Sequence, residues 1–328
     1  MILVCYGTRP EWIKVKPVID LIDCKVLFTG QHKDLADFDH DISLEIKDYG
    51  NRLDSVFCSV LQAGYNIFNG IDTVLVQGDT ASATAIALAA YHRQIKVVHL
   101  EAGLRTYDME NPYPEEAYRQ VISRLADVHL CPTEHNAECL ENEKVSGAIY
   151  TVGNTVLDNL VNLPVTYNNE VLVTMHRREN HAFMSDWFEQ ISQLAIENPD
   201  LHFAIPLHPN PNVQRCKLHL KKVTILDPLS YSEMKKRLSQ CRLLISDSGG
   251  LQEEASFLKK KIIVCRKRTE RIESLGVSSF LCPSPSGLKD IFNSLKENYV
   301  VNDTYICPYG KGNAAQQIKE VLYLEHLF

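Results

Sequence analysis

Apolar runs of four or five residues recur along the chain, and each gives way to an amphipathic or alanine-rich stretch. The runs at 2–6, 25–29, 73–77, 96–100, 127–131 and 148–152 predict strands, as do those at 171–175, 202–206, 223–226, 242–246, 261–265 and 278–282. Between them, 11–22, 80–92, 114–125, 184–197, 230–239 and 249–258 read as helices. Strands that are apolar on both faces and alternate with helices predict parallel sheets covered on both sides, an α/β fold. Twelve such strands are too many for one short sheet. The stretch LPVTYNNE at 163–170 breaks the alternation and contains no basic residue, which places a domain boundary there. The expected domains are 1–165 and 166–311, and a length of 328 residues suits two. No repeat at solenoid spacing and no low-complexity tract is visible.

In open parallel sheets, ligands gather beyond the carboxyl ends of the strands. The unusual residues fall there: GTRPE after 2–6, QGDT after 73–77, HLEAGLRT around the end of 96–100, and MHRREN at the end of 171–175. LHPNPN, SDSGG and RKRTER follow the runs ending at 206, 246 and 265.

Composition narrows the classes. Hydrophobic residues make up 45% and charged residues 23%, enough apolar surface to build cores and to exclude a disordered chain. Thirty-four Lys and Arg against 41 Asp and Glu leave −7, which argues against nucleic acid as a partner. The ten cysteines form no C-x-x-C pair, and several sit inside apolar runs, such as Cys5 and Cys265. They read as small core residues of a reducing compartment. The chain opens on ILVCY with no basic leader and has no stretch long enough to span a bilayer, so a cytoplasmic location without membrane contact is expected. No Walker A motif is present. The one G-x-G-x-x-A match, Gly310, Gly312 and Ala315, follows no strand and is not a dinucleotide site. His176 and His181 lack a supporting ligand set, so neither metal nor cofactor is expected.

Ser248, Gly249 and Gly250 open a helix whose amides and dipole suit a phosphate, with Glu254 a turn further on to meet a sugar hydroxyl. Arg271, on the loop after 261–265, can neutralise a diphosphate. Arg9 and Lys14 place two cations beyond the first strand, suited to an anionic leaving group. Asp79, Glu101 and Glu115 each stand just past a strand or at a helix start. Singly, each reads as a cap or first-turn acid. If the three converge, like charges push their pKa values apart and make acid and base partners. His208, between a strand and an Asn-Pro turn, joins the candidates.

Taken in order, GTRPE, TGQH, QGDT, HLEAGLRT, PEEAYR, GNTVLD, HRREN, H-x-N-P-N-V, DSGG-x-QEE, TER and PYGKGNA resemble the non-hydrolysing UDP-N-acetylglucosamine 2-epimerases over nearly the whole chain. The resemblance implies a GT-B architecture, two Rossmann-like domains with the active site in the cleft between them, and a C-terminal helix within 312–328 that returns to the first domain. It implies catalytic roles for Asp79, Glu101, Glu115 and His208. Substrate contacts are implied for Arg9, Lys14 and Arg119, and diphosphate and uridine contacts for Ser248, Gly249, Gly250, Glu254 and Arg271. It also implies a UDP-acetamido sugar substrate and a homodimer. Three positions differ from the family's usual residues: Ile272 stands for Pro, Met234 for an aromatic near the uracil, and Asp34 for a glutamine that in bacterial members helps hold a second, activating UDP-GlcNAc.

The implied chemistry is constrained. The C-2 proton of an acetamido sugar has no ketone beside it, so simple deprotonation leaves an unstabilised carbanion. Elimination of UDP to a glycal, followed by re-addition, avoids it and needs carboxylates for proton transfer and cations for the departing UDP. The same chemistry fits UDP-GlcNAc or a 6-deoxy UDP-acetamido sugar. A glycosyltransferase of the same fold, a hydrolysing epimerase and a binding module without turnover are the competing readings.

Overall fold

The computed structural model describes residues 1–32 and 38–328. Asp34 therefore lies outside the described residues. The chain divides into two compact units, Met1–Asn159 with Gly310–Phe328, and Leu160–Tyr309. The first unit thus ends six residues before 165, and the stretch at 163–170 belongs to the second.

In the first unit, seven parallel strands run β1 (Ile2–Tyr6), β2 (Cys24–Phe28), β3 (Ile42–Ser43), β4 (Thr73–Gln77), β5 (Lys96–Leu100), β6 (Val128–Cys131) and β7 (Ala148–Thr151). Their spatial order is β3-β2-β1-β4-β5-β6-β7, so the order reverses between β1 and β4. The helices are α1 (Arg9–Ile19), α2 (Arg52–Ile67), α3 (Ala81–Tyr91), α4 (Glu115–Leu125) and α5 (Glu134–Asn142). The period-2 alternation of β1 sorts its side chains onto two faces. Leu3 and Cys5 join a core with Val56 and Val60 of α2 and the alanines of α3. Ile2, Val4 and Tyr6 join another with Val15 and Val18 of α1 and Ile318 and Leu322 near the C-terminus. Helix α3 is buried nearly all round because its alanines leave room for the sheet and for two neighbouring helices.

The second unit contains α6 (Met184–Glu197), α7 (Pro211–Gln214), α8 (Tyr231–Gln240), α9 (Gly249–Phe257) and α10 (Leu288–Leu295). Its strands are β8 (Glu170–Thr174), β9 (His202–Pro206), β10 (Thr224–Leu226), β11 (Leu243–Ser246), β12 (Ile262–Val264) and β13 (Ser279–Leu281). They form a parallel sheet ordered β10-β9-β8-β11-β12-β13, which reverses between β8 and β11. Trp187, Phe188, Phe203 and Phe292 fill its main core. Lys260 is fully buried, its ammonium over the Tyr167 ring at 3.6 Å and donating to the carbonyls of Thr166 and Cys241. This lashes the 163–170 stretch to the second unit.

The last helix, α11 (Ala314–Leu324), lies wholly within the expected 312–328 and packs on α1. Its N-cap, Asn313, makes no side-chain cap bond. Asp158 caps it instead, accepting from the amides of Ala314 at 3.0 Å and Ala315 at 2.8 Å. Asp158→Ala should cost about 0.5–2 kcal/mol, the usual worth of a cap. Urea melts of the two proteins check this, and an unchanged midpoint would remove Asp158 as the fastening.

His99 of β5 and His129 of β6 are register partners with no exposed surface. Burial pushes His99 down to about 3 and also lowers His129. The unfolded chain takes up protons on both near pH 6.5, while the folded chain stays neutral there. Stability should therefore be complete above about 6.5, fall as the pH drops below it, and for His99 keep falling toward about 3. The slope is about 1.4 kcal/mol per pH unit for each proton. Urea melts across this window check the sign; stability that is flat or rises on acidification would contradict a neutral pair.

All ten cysteines are free, six of them buried, and desolvation lifts thiols such as Cys5 and Cys265 above their ordinary pKa. Among the described residues no helix is long and apolar enough to cross a membrane.

Candidate active site

The polar loops cluster where strand order reverses, the usual place for a ligand in such sheets. In the first unit these are the loops after β1 and β4, joined by the one after β5 and the start of α4.

Thr8 caps α1 and forms a capping box with Glu11. The box sets the first turn of α1 beyond β1. Arg9 is its first residue and is exposed. Lys14, one turn further, holds Glu101 through both carboxylate oxygens at 2.5 and 2.6 Å. Glu101 is 8% exposed and has a backbone φ of 64°, an uncommon conformation for a residue with a side chain. Its carboxylate also accepts from Gln77 Nε2 and, at 3.0 Å, from Asn154 Nδ2. The next loop brings Asp79, whose Oδ2 takes Arg119 Nε at 3.1 Å and Nη2 at 2.5 Å. Arg119 is buried on α4, and its Nη1 lies 3.4 Å from Glu116. Glu115 begins α4, one turn before Arg119 on the same helix face.

The outcome differs from mutual repulsion. Asp79 and Glu101 each face a cation, brought from 40 and 87 residues away. Asp79 is not a helix cap either, because Thr80 caps α3 by accepting from Ala83 N at 3.0 Å. Of the two glutamates in PEEAYR, Glu116 is the fully buried one. It accepts from Thr106 N and Oγ1, both at 3.0 Å, and from Tyr107 N at 3.1 Å, pinning the loop ahead of α4. Gln77, Asn154 and Glu116 were not among the expected site residues. Gln77, a polar side chain ending the apolar run 73–77, carried a signal; the other two had none beyond lying in GNTVLD and PEEAYR.

In the second unit, β11 runs into Asp247, Ser248, Gly249 and Gly250. Asp247 is fully buried and gathers the loop after β8: its carboxylate accepts from His176 N at 3.0 Å, Arg177 N at 2.8 Å and Asn180 Nδ2 at 3.1 Å. His208 follows β9, is exposed, and stacks on His176 with ring centroids 5.5 Å apart. Desolvation holds both imidazoles below their ordinary pKa, against the pull of Asp247. Both therefore stand neutral at pH 7, able to donate or accept.

The amide of Ser248 is already taken, donating to Ser246 Oγ at 2.9 Å. Gly249 and Gly250 remain as the first amides of α9, where intrahelical acceptors are lacking. A side chain at Gly249 would place its Cβ 2.7 Å from Arg271 Nη1 and 3.2 Å from Glu270 Oε1, whereas Gly250 has nothing within 4 Å. Arg271 is not an exposed cation. It is 5% exposed, donates from Nε to Glu253 at 2.7 Å and from Nη1 to Glu270, and so lies against the N-terminus of α9. Glu254 is buried and accepts from the Tyr231 hydroxyl at 3.1 Å. Tyr231 begins α8, one turn ahead of Met234. Among the described residues no group of three or more His, Cys, Asp or Glu is placed to hold a metal ion.

A family model described as UDP-N-acetylglucosamine 2-epimerase matches residues 20–323. The UDP-N-acetylglucosamine 2-epimerase of Campylobacter jejuni is 34% identical, across 98% of this chain and 97% of that protein. The crystal structure of UDP-GlcNAc 2-epimerase from Neisseria meningitidis bound to UDP-GlcNAc superposes with a TM-score of 0.88 at 32% identity, covering 98% of this chain and 99% of that one. MurG of Acinetobacter baumannii, 13% identical with a TM-score of 0.57 over 98% of this chain and 99% of that one, shares the fold alone.

Proposed function

The chain belongs to the UDP-N-acetylglucosamine 2-epimerase family, isomerases of GT-B fold built from two Rossmann-like domains, and from that premise we propose that it inverts C-2 of a UDP-2-acetamido sugar without hydrolysing it. The substrate is of the UDP-GlcNAc to UDP-ManNAc type; a 6-deoxy UDP-acetamido sugar meets the same chemistry. The observation that carries the reading is the row Lys14–Glu101 and Asp79–Arg119 in the first unit, with Glu115 one turn from Arg119. These acids sit in the loops beyond β4 and β5 and at the start of α4, each of the first two backed by a cation.

In the proposed cycle a carboxylate takes the C-2 proton while the C-1–O bond to UDP breaks, giving a glycal and UDP. Another group returns a proton to C-2 from the opposite face as UDP adds back to C-1. Asp79, Glu101 and Glu115 supply the proton transfers. Arg9 and Lys14 favour the departing anion. In the second unit the Gly249 and Gly250 amides, the positive end of α9 and Arg271 hold the diphosphate, Glu254 meets the ribose, and neutral His208 offers a hydrogen bond to the nucleotide.

In heavy water, enzyme and UDP-GlcNAc or another UDP-acetamido sugar should place deuterium at C-2 of the recovered UDP-sugar, with UDP still attached and no NAD added. Proton NMR reads this directly. Stoichiometric free UDP and free sugar would indicate the hydrolysing reaction, and absence of exchange with every UDP-acetamido sugar tried would sink the reading.

A further inference from the structure

We propose that His99 is a positioning residue for Asp79, acting through the carbonyl of Gly78. The inference rests on the proposed reaction for the role of Asp79, while the geometry is independent of it. Gly78, directly before Asp79, is held from β5 at both ends of its own backbone. Its amide donates to Leu100 O at 2.9 Å, and its carbonyl lies 2.8 Å from His99 Nε2. A carbonyl only accepts, so Nε2 carries the hydrogen. Gly78 has φ of 68°, which glycine adopts without strain but without restriction, so the two hydrogen bonds are what fix the turn into Asp79.

Thr80 is held on the other side of Asp79. Its hydroxyl donates to Glu11 Oε1 at 2.6 Å, and Glu11, 1% exposed, also accepts from the amides of Gly7 at 3.0 Å and Thr8 at 2.7 Å. Asp79 is thus the one residue of Gly78–Asp79–Thr80 whose side chain faces a cation, with fixed neighbours before and after it.

Within KVVHL, His99 replaces what is otherwise an apolar strand residue. Its Nδ1 has no hydrogen-bond partner among the described residues, so the ring does not serve a polar network. Fully buried, it stays neutral at any working pH and cannot trade protons with substrate. What it can do is fix a carbonyl. That carbonyl belongs to the peptide that carries Asp79, and His99 itself lies two residues before Glu101, so one ring couples the two carboxylate loops.

Two amides of different reach test this. Glutamine at 99 extends an N–H to about the position of Nε2, and asparagine falls short of it. His99→Asn should lower kcat for C-2 exchange by about 10²-fold, the cost of misplacing a reacting group by about 1 Å, with little change in KM. His99→Gln should retain most of the turnover. Amide hydrogen exchange at Gly78–Thr80 should rise in the Asn variant and not in the Gln variant. Equal turnover in the two variants, or Asn-variant amides that exchange as slowly as the parent's, would overturn the role. If the parent protein exchanges no C-2 hydrogen with any UDP-acetamido sugar, the proposed function fails and the amide exchange alone decides the role of His99. Should the Asn variant not fold, ¹⁵N shifts of the parent's ring decide: a neutral Nε2–H ring supports the proposal, and an Nδ1–H or protonated ring overturns it.

Discussion

Asp79→Asn, Glu101→Gln and Glu115→Gln should each lower turnover by roughly 10²–10⁴-fold, the worth of a positioned general acid or base. Each substitution preserves size and removes the ability to carry a proton. UDP affinity should largely survive, because most of the groups assigned to the nucleotide lie in the second unit. The ion pairs set the stability effects. Glu101→Gln leaves Lys14, 12% exposed, facing an amide where it had a carboxylate, with the bonds from Gln77 and Asn154 as partial compensation. Losing a charge-assisted contact of this kind costs about 1.5–3 kcal/mol. Asp79→Asn should cost less, since Asp79 is 25% exposed and Arg119 keeps Glu116. If these residues were helix caps, loss of 0.5–2 kcal/mol would come with nearly unchanged rates. Turnover measured well below each variant's melting temperature separates the readings. Near-normal rates in all three would refute the assignment, however much stability fell.

The strands were legible because most read as a continuous apolar run, and the central ones, β1, β4, β8 and β11, are buried on both faces. β1 and β4 match their expected bounds, Ile2–Tyr6 and Thr73–Gln77. β3, only Ile42–Ser43, has no such run to announce it. The loops that carry the candidate chemistry were legible for the same reason: once β1, β4, β8 and β11 are placed, the residues that follow them are placed too. Pairing was not legible. Convergence of Asp79, Glu101 and Glu115 suggested repulsion, but Lys14 and Arg119 reach the first two from other elements. Arg271 was read as a loop cation for a diphosphate, and nothing in KRTER reveals that Glu253, on α9, stands behind it. His99 looked like one more member of an apolar strand, since its partner carbonyl is 21 residues away in sequence.

Arg271 therefore carries two effects that a single substitution mixes. Arg271 is 5% exposed and lies between Glu253 and Glu270, which are 0% and 5% exposed. Glu270 keeps a second partner in Arg266, at 3.0 Å, whereas the Arg271 Nε contact to Glu253 is lost outright. Arg271→Ala should thus destabilise the second unit by about 1.5–3 kcal/mol, the worth of the charge-assisted contact that the buried Glu253 loses. At the proposed site it should also weaken UDP binding by about 1.5–3 kcal/mol, or ten- to a hundredfold in Kd. Combining the loss of Arg271 with Glu253→Gln removes the buried carboxylate together with that cation. The double variant Arg271→Met, Glu253→Gln should recover much of the melting temperature, because matched removal of a buried pair is often nearly neutral. It should recover none of the UDP affinity, because the diphosphate has still lost its cation. Calorimetric titration with UDP, alongside thermal melts of the single and double variants, distinguishes these contributions. Affinity that returns together with stability would make Arg271 a structural residue only, as would unchanged affinity in a folded Arg271→Ala protein.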